Sequence, residues 1–409
     1  MNRILSYFLS LALVVLATGC ISDDSDLETL IEQSEKAIAP IDIALDYSPL
    51  DEPADEPATD IDDPYYNDYV ENDTYDRVVH ITFNGESVTI DGAENYSKVD
   101  VTANGAHVTI NSSSGRMEYV LSGWSLNGSL KIYSENKFKL TLDGVNLTNP
   151  NGAAINDQCG KTVYVVLTPG TNNTLTDGAV YKIPAGEQMK GAFFSEGQII
   201  VSGTGLLNVN AQGGHGIASD DYIRFRPGCR LNIASSGGHG VKANDGVFID
   251  GGVLNISVTG DGFKGMKSDL DISVAGGRTT VITTGDSELV EQTLETMADT
   301  SSCAGIKCDG LMTVTGGAIN LKSIGEGGKG INATEELVIT GGTVNVVTTG
   351  KKIYSSPKGI KSDGNISISG GTIYSYSRWG DAIEAEGTLT IAPTYKSSES
   401  NDYYMKIVY

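Results

Sequence analysis

Short runs in which apolar and polar residues alternate recur along most of the chain. In one of them Ile366 and Ile368 alternate with serine, then Gly-Gly interrupts the run and another begins at Thr372. A period of two places every second side chain on the same face of a β-strand. The pattern therefore predicts short strands with one buried face, joined by glycine turns.

From Lys190 onward these runs form a sequence repeat, and an internal repeat constrains the fold more than any local feature. The units "KGAFFSEGQI", "GIASDDYIRF", "GVKANDGVFI", "KGMKSDLDIS", "AGIKCDGLMT", "KGINATEELV", "KGIKSDGNIS" and "AIEAEGTLTI" align with small, apolar and acidic residues in register. Their leading glycines are Gly191, Gly216, Gly240, Gly265, Gly305, Gly330 and Gly359. Most steps are 24 or 25 residues long, and the longer step after Gly265 contains an insert at 286–303.

A parallel β-helix is the fold that such units predict. Coils of this length, made of short strands and glycine turns, are typical of an all-β solenoid whose coils stack at about 4.8 Å. An antiparallel sandwich also gives alternating strands, but it does not need glycines at the same phase in seven successive units. We predict regular coils over 186–395, an N-terminal cap with irregular first coils over 77–185, and a C-terminal cap over 396–409.

The first 20 residues have the pattern of a lipoprotein signal peptide. A basic start is followed by an apolar core from Ile4 to Leu16 and then by "ATGC", which ends at Cys20. The apolar core is too short to cross a bilayer. We therefore expect export, with Cys20 becoming the lipidated N-terminus. An ordinary cleaved signal with a free cysteine is the alternative.

Residues 21–76 carry most of the negative charge. This segment contains 19 Asp or Glu and one Lys, whereas residues 77–409 contain 33 acids and 26 bases. Many like charges and few bulky apolar residues are typical of a solvated chain, so we predict a disordered acidic linker over 21–76, with one short amphipathic helix at 27–39. The stretch "SDDSD" after Cys20 resembles the acidic export signal of surface-exposed bacterial lipoproteins.

The charge of the predicted folded part argues against nucleic acid as a partner. This part is mildly acidic and has no basic patch with interleaved aromatic residues. A membrane contact other than the lipid on Cys20 is not indicated. We expect a monomer that is anchored by its lipid in the outer membrane and exposed at the cell surface.

Stacking turns each position of the repeat into a column of side chains. One column contains Lys242, Lys267, Lys307 and Lys361, and the column two residues further on contains Asp220, Asp269, Asp309 and Asp363. Residues two apart lie on the same face of a strand, so the columns run side by side on the outside of one sheet. They form either an ion-pair ladder or a binding surface. In a binding surface the lysines would meet the carboxylates of an extended polymer, and the aspartates would supply oxygen ligands for Ca²⁺.

Aromatic residues near the last coils are a second candidate for binding. Tyr374 and Tyr376 have the parity opposite to that of Ile373 and are predicted to point outward, with Trp379 and Tyr354 near by. Exposed rings on a flat sheet suit the apolar faces of sugars, although tyrosine is also common on exposed strand faces.

A column of small residues is predicted to point inward between the lysines and the aspartates. It includes Cys308, which is explained as a small core residue. Cys303 lies five residues earlier, so in an oxidising compartment the two thiols either form a disulfide or stay free.

The sequences of the repeats resemble those of a family of bacterial secreted carbohydrate-binding domains. Examples are "KGIKSDGNISISGGTI" and "GEGGKGINATEELVITGGTVNVVTTG". The resemblance covers roughly residues 78–395. It implies a right-handed parallel β-helix, similar in fold to pectate lyases but non-catalytic, that binds calcium and polysaccharides such as polygalacturonate and cellulose. It assigns no individual calcium ligand, so the four aspartates are a prediction from the columns alone.

A pectin-degrading enzyme is the main alternative. The stretches "SDD" at 219–221 and "GHG" at 238–240 resemble two parts of the polygalacturonase signature, but the other parts are missing. Because "GGHG" also occurs at 213–216, the histidines are explained as stacked corner residues. Lyase chemistry with Ca²⁺ and a Lys or Arg base, and a non-binding surface scaffold, stay open as well. We expect a surface-anchored lipoprotein that captures acidic plant cell-wall polysaccharide with the help of Ca²⁺ and without catalysis.

Overall fold

The computed structural model describes residues 40–290, 299–393, 397–401 and 404–408. The predicted signal peptide with Cys20 and the helix predicted at 27–39 lie outside the described residues. The described part of the compact unit Ile43–Tyr409 is built almost entirely of β-strands. Its helical turns are three short 3₁₀ helices at Tyr66–Asp68, Val70–Asn72 and Ala93–Asn95. Among the described residues, no helix is long and apolar enough to span a membrane.

The strands are numbered β1 to β37 in chain order. The first ten are β1 (Arg77–Asn84), β2 (Ser87–Asp91), β3 (Val99–Asn104), β4 (Ala106–Ser112), β5 (Met117–Ser125), β6 (Gly128–Ser134), β7 (Phe138–Thr148), β8 (Ile155–Asp157), β9 (Val163–Leu167) and β10 (Asn172–Thr176). The next twelve are β11 (Gly191–Ser195), β12 (Ile199–Gly203), β13 (Leu206–Ala211), β14 (His215–Ser219), β15 (Tyr222–Phe225), β16 (Arg230–Ser235), β17 (Val241–Ala243), β18 (Gly246–Ile249), β19 (Val253–Val258), β20 (Lys264–Ser268), β21 (Asp271–Val274) and β22 (Arg278–Thr283).

The remaining strands follow the insert and complete the stack. They are β23 (Glu288–Val290), β24 (Asp299–Ser301), β25 (Ala304–Cys308), β26 (Met312–Val314), β27 (Ala318–Ser323), β28 (Lys329–Ala333), β29 (Leu337–Ile339), β30 (Thr343–Thr348), β31 (Lys358–Ser362), β32 (Ile366–Ile368), β33 (Thr372–Ser377), β34 (Ile383–Ala385), β35 (Leu389–Ile391), β36 (Ser397–Asn401) and β37 (Tyr404–Val408).

Each regular coil contributes three strands, one to each of three parallel series. The first series is a 12-stranded sheet in the order β3-β4-β6-β8-β11-β14-β17-β20-β25-β28-β31-β34, which is parallel from β4 onward. The second runs β9-β12-β15-β18-β21-β26-β29-β32-β35, and the third runs β10-β13-β16-β19-β22-β27-β30-β33. The predicted parallel β-solenoid is therefore confirmed.

The register between coils follows the sequence repeat. Ile306 lies opposite Ile331, and Ile331 lies opposite Ile360, so equivalent positions of the units stack directly. Ile360 is fully buried, and Cys308 is buried in the inward column of small residues. Cys303 is buried too, and both thiols are free in the structure rather than joined by a disulfide.

Antiparallel pairings replace the parallel stacking at both ends of the solenoid. At the first end β1 pairs with β2 and β3 pairs with β4, and at the last end β37 pairs with both β33 and β36. Extra strands of this kind limit the backbone that a terminal coil leaves unpaired.

The leading glycine of each unit is required by close packing and not by a turn. A Cβ on Gly330 would lie 2.0 Å from Cγ1 of Val346 and 2.5 Å from the carbonyl oxygen of Gly359 in the next coil. The true turn glycines form a separate column, in which Gly342 has a φ of 78° and Gly371 a φ of 87°. The regularly spaced glycines of the sequence therefore have two different physical causes: close packing at the leading glycines and a positive φ at the turn glycines.

Residues 43–76 lie against the outside of the solenoid, and we call them the acidic strap. The strap begins where Ile43 packs on Tyr376, contacts Arg278 and Arg224 along the way, and leads into β1. The prediction of a solvated, disordered linker is therefore wrong for residues 43–76. Ion pairs with distant coils hold this segment in place although it has few apolar residues.

We expect Gly330→Ala to lower the free energy of unfolding by about 1–3 kcal/mol, the usual cost of forcing extra volume into a packed interior. The shift of the urea unfolding midpoint measures this effect. Gly160→Ala is the matched control, because a Cβ on Gly160 would meet no atom within 4 Å. Equal midpoints for the two variants would contradict the packing role of the leading glycines.

Candidate functional site

Seven lysines line the outside of the 12-stranded sheet. Three lie at the first position of a strand and four lie three residues further along the repeat, so that they form two neighbouring columns. We call this set the lysine face: Lys242, Lys264, Lys267, Lys307, Lys329, Lys358 and Lys361. Seven of the chain's 28 Lys and Arg residues thus lie on one sheet of a protein whose formal charge is −24.

The predicted lysine and aspartate columns lie side by side on this face and pair with each other. Nζ of Lys267 lies 3.0 Å from Asp269 and 3.8 Å from Asp309, and Nζ of Lys242 lies 2.5 Å from Asp269. The other pairs are Lys190–Asp220, Lys307–Asp309, Lys361–Asp363 and Lys361–Glu386. Solvent-exposed pairs of this kind contribute about 0–1 kcal/mol each. In the structure these two columns form the ion-pair ladder that was one of the two predicted alternatives.

The four aspartates predicted as metal ligands, Asp220, Asp269, Asp309 and Asp363, do not fit a calcium site. They lie on separate coils, and each turns its oxygens toward a lysine ammonium group. Ca²⁺ needs six to eight oxygen ligands around one point. Among the described residues, no group of three or more His, Cys, Asp or Glu is arranged to hold a metal ion.

Lys264 and Lys329 differ from the rest of the lysine face. Nζ of Lys264 donates hydrogen bonds to the carbonyl oxygen of Gly262 and to Oγ of Ser301, both at 2.6 Å. Nζ of Lys329 donates to Oγ of Ser302 at 2.9 Å. Within the described part of the chain, neither ammonium group has a carboxylate at ion-pair distance. Within the described residues, the hydrogen-bond acceptors of these two ammonium groups are hydroxyl and carbonyl oxygens.

Burial and like charges change the acidity of these two lysines. Burial lowers the pKa of Lys264 to about 8, and the positive charges of Lys267 and Lys307 add to the effect. Burial likewise lowers the pKa of Lys329 to about 8, with contributions from Lys361 and Lys264. An anion placed between the two ammonium groups would relieve this repulsion.

The described residues of the insert, 286–290 and 299–303, contact this part of the lysine face. The described part of the insert is a two-stranded antiparallel hairpin of β23 and β24, and residues 291–298 lie outside the described residues. The hairpin supplies Ser301, and Ser302 follows it directly, so both hydroxyl groups that hold the unpaired lysines come from the insert. Leu289 and Val290 are exposed on the hairpin. The insert is thus a wall of the candidate site.

Tyr354 and Trp379 lie on two stacked turns beside the lysine face. Their exposed fractions are 49% and 47%. The two turns touch, since a Cβ on Gly380 would lie 1.9 Å from the carbonyl oxygen of Pro357. Lys351 Nζ lies 5.6 Å from the centre of the Trp379 ring. Both predicted rings are therefore exposed on neighbouring turns, and one lysine, Lys351, lies beside Trp379.

Tyr374 and Tyr376 were predicted to be exposed for sugar binding, but other segments cover them in the structure. Tyr376 is only 9% exposed because Ile43 of the acidic strap packs over it. Tyr374 packs edge-on against Tyr404 of β37, with ring centres 5.3 Å apart. Both rings point away from the core as their parity predicts, but other segments cover them. Their assignment to a sugar-binding surface is therefore corrected.

The two histidines of the "GGHG" motifs stack as expected. The rings of His215 and His239 are parallel, with centres 4.8 Å apart, and Nδ1 of each accepts a backbone N–H from the following coil. Burial lowers the pKa of His215 to about 4 and that of His239 well below its ordinary value. The motif is thus explained by coil stacking.

The first lysine column is the part of the site that sequence reasoning missed. Lys264, Lys329 and Lys358 all occur in the recurring pattern Lys-Gly-x-x, directly before the leading glycine. The lysine directly before each of these glycines is therefore the sequence signal for this column. Lys358 is paired with Asp381 and Glu384, whereas the other two lysines are not paired with carboxylates among the described residues.

A family model described as "Carbohydrate-binding domain-containing protein" matches residues 104–269 and 323–402, which is more than half of the chain. A protein with the same description from Acetivibrio thermocellus is 31% identical over 114 residues, which cover 27% of this chain and 40% of that relative. The chain thus spans less than half the length of this curated relative. A solved structure described as the polysaccharide lyase-like protein from C. thermocellum, a gadolinium derivative, is 22% identical with a TM-score of 0.40, covering 77% of this chain and 97% of that one.

We expect Lys264 and Lys329 to lose their protons near pH 8, because both burial and neighbouring lysines favour the neutral amine. For Lys361, burial alone would lower the pKa, but its hydrogen bonds with Asp363 and Glu386 raise it above the ordinary value. Titration of ¹³C-methylated lysines by NMR, assigned with Lys→Arg variants, measures the difference. Titration of all three amines at the ordinary lysine value would contradict the described environment.

Proposed function

Because the chain belongs to the family of carbohydrate-binding domain-containing proteins, we propose that it binds acidic polysaccharide through the lysine face without catalysis. The family supports carbohydrate binding in general. The acidic character of the ligand is inferred from the side chains of this face. The polymer would be polygalacturonate or another pectin-like glycan of the plant cell wall, with cellulose as a further possible ligand.

The observation that carries the proposal is that, among the described residues, no carboxylate lies at ion-pair distance from the ammonium groups of Lys264 and Lys329. A charge kept partly buried without a counterion is costly, and a carboxylate ligand removes that cost. Hydrogen bonds between ionised partners are also about twice as strong as neutral ones. The site is therefore better suited to an anion than to a neutral sugar.

The direction of the stack suggests how a polymer would lie. Successive coils repeat at about 4.8 Å, so Lys264, Ala304, Lys329 and Lys358 follow one another along the solenoid axis at that interval. An extended glycan running along the axis would meet one strand after another. Its sugar rings would reach Tyr354 and Trp379 at the edge of the face, where apolar ring surfaces stack favourably.

The proposed function also includes calcium assistance in binding and a lipid anchor at Cys20. Calcium assistance stays a prediction, and the lysine-paired aspartates do not support it at those positions. Lipidation at Cys20 would anchor the solenoid, and the stretch "SDDSD", which resembles an acidic export signal, would direct it to the cell surface. Such a protein would hold polysaccharide close to the cell.

A pectin lyase is the second candidate function. It is favoured by one observation, which is that Lys264 and Lys329 have a pKa of about 8 and so are partly neutral near that pH. A neutral amine beside other cations can remove a proton next to a carboxylate. Absorbance of unsaturated products from polygalacturonate would support this candidate, and their absence in long incubations would remove it.

Affinity electrophoresis of the chain from residue 21 onward tests the proposed function directly. Gels containing polygalacturonate, cellulose derivatives or neutral glycans should retard the protein most strongly in polygalacturonate. A parallel series with EDTA tests the calcium element by itself. Unretarded migration in every glycan would refute the proposed function and favour a non-binding surface scaffold.

We expect Lys264→Met with Lys329→Met to weaken binding to oligogalacturonate by at least about tenfold, since each charged hydrogen bond contributes about 1.5–3 kcal/mol. Lys98→Met is the matched control, because Lys98 is exposed on the distant N-terminal coils. Isothermal titration calorimetry measures the affinities. In the unchanged protein the affinity should also fall as the pH rises from 7 to 9.5, because the ammonium groups lose their protons. Persistence of that pH dependence in the double variant would contradict the assignment to these lysines.

We expect Trp379→Ala to weaken binding several-fold for both acidic and neutral glycans, because stacking on the ring does not depend on the charge of the sugar. Trp124→Ala is the control, since Trp124 is the other tryptophan and is 54% exposed near the end of β5 in the first coils. Glycan binding is measured by the same calorimetry. If both variants bind the glycans equally well, the Trp379 ring is not part of the binding site.

A further inference from the structure

We propose that the acidic strap occupies a second binding surface for acidic polysaccharide, formed by a row of arginines on the opposite sheets of the solenoid. We call this set the arginine row: Arg116, Arg224, Arg226, Arg230 and Arg278. The strap acts there as a built-in ligand that an external polymer would replace. This surface lies outside the 12-stranded sheet and does not include the lysine face.

Carboxylates of the strap meet the arginines one after another. Nη2 of Arg226 lies 2.7 Å from Asp55 and its Nη1 lies 2.8 Å from Glu71. Nε of Arg224 lies 2.8 Å from Asp68. The planar guanidinium group with its fork of donors is the side chain best suited to carboxylates. The strap thus presents to this row the same chemical group that a uronic acid polymer carries on every sugar.

Aromatic rings of the strap lie on the same guanidinium groups. The centre of the Tyr65 ring is 4.2 Å from Cζ of Arg224, and the centre of the Tyr69 ring is 4.3 Å from Cζ of Arg226. These are cation–π contacts, in which the negative face of the aromatic ring attracts the guanidinium group. Arg224 therefore contacts one carboxylate and one ring of the strap, and Arg226 contacts two carboxylates and one ring.

The strap is held by polar contacts and not by a hydrophobic core. Of residues 43–76, all of which the structure describes, only Ile43 and Asp68 are buried. The segment contains 12 Asp or Glu and no Lys or Arg. Attachment of this kind is weakened by salt and can be exchanged for another polyanion, because little apolar surface must be exposed when it leaves.

The fit between strap and arginine row is incomplete. Nε of Arg226 and Nε of Arg278 are buried without a hydrogen-bond partner in the described part of the molecule. A cavity of about 600 Å³, lined by Asp55 and Glu71 of the strap and by Arg230, separates part of the strap from the solenoid. A ligand with two carboxylate oxygens per sugar would use donors that the strap leaves unused.

The arginines depend on the strap for their counterions, unlike the lysines of the paired column. That column is balanced by aspartates from its own or neighbouring coils. Among the arginines, Arg224 alone has a described carboxylate partner from the coils, Asp250 at 2.8 Å. Departure of the strap would therefore leave Arg116, Arg226 and Arg278 without their described carboxylate partners.

The test releases the strap in a protein whose lysine face lacks the two ammonium groups assigned to binding. In a Lys264→Met, Lys329→Met background, Asp46→Asn, Asp55→Asn and Glu71→Gln remove three strap carboxylates that contact the arginine row. We expect faster chymotrypsin cleavage at the strap tyrosines and binding of oligogalacturonate at least about tenfold tighter than in the background protein. The gain should disappear at high salt.

The matched control carries Asp60→Asn, Asp62→Asn and Asp63→Asn, which change the charge by the same amount on the same segment. These three aspartates make only local hydrogen bonds among the described contacts. Two results would overturn the proposal. In one, the strap is released but binding does not exceed that of the control. In the other, the strap stays protected in the triple variant. Because the lysine face is disabled throughout, neither result bears on the proposed function.

Discussion

The structure depends on the backbone hydrogen bonds between one coil and the next. Parallel strands can pair along their whole length only if successive coils approach at the strand spacing of about 4.8 Å. At the leading glycine the neighbouring main chain and a core side chain come closer than a Cβ would allow, as at Gly330. Equivalent residues must therefore stack, and every polar position of the repeat becomes a line of like side chains. Both the ion-pair ladder and the lysine face follow from this one constraint.

The positively charged side chains on the two sides of the solenoid obtain their counterions in two different ways. On the 12-stranded sheet, the lysines of the second column are neutralised within their own or the adjacent coil, as Lys267 is by Asp269. Lys264 and Lys329 are exceptions, and they are the lysines next to the insert. On the other side, Arg226 receives its counterions from residues more than 150 positions away in sequence. The first arrangement is local and repeats with the coils, whereas the second depends on a single segment that has no repeat.

This difference explains what the sequence could and could not predict. The coil length, the inward position of Ile360 and the pairing of Lys and Asp columns are periodic, so they can be read from one chain. The docking of Asp55 and Glu71 on Arg226 is not periodic, and composition alone favoured disorder for their segment. Tyr376 was misplaced for the same reason, because the residue that covers it, Ile43, belongs to the strap. Lys264 and Lys329 were overlooked since their environment depends on Ser301 and Ser302 of the insert.

The route of the acidic strap has a mechanical consequence. The strap meets the solenoid at Tyr376 in the late coils and runs back to β1, in the direction opposite to the growth of the stack. A pull on the chain before Ile43 would therefore load the strap contacts one at a time, in the manner of a zipper, and would reach β1 only after the last ion pair had opened. Tension would be dissipated by a series of weak, re-formable bonds while the stacked coils stay unloaded.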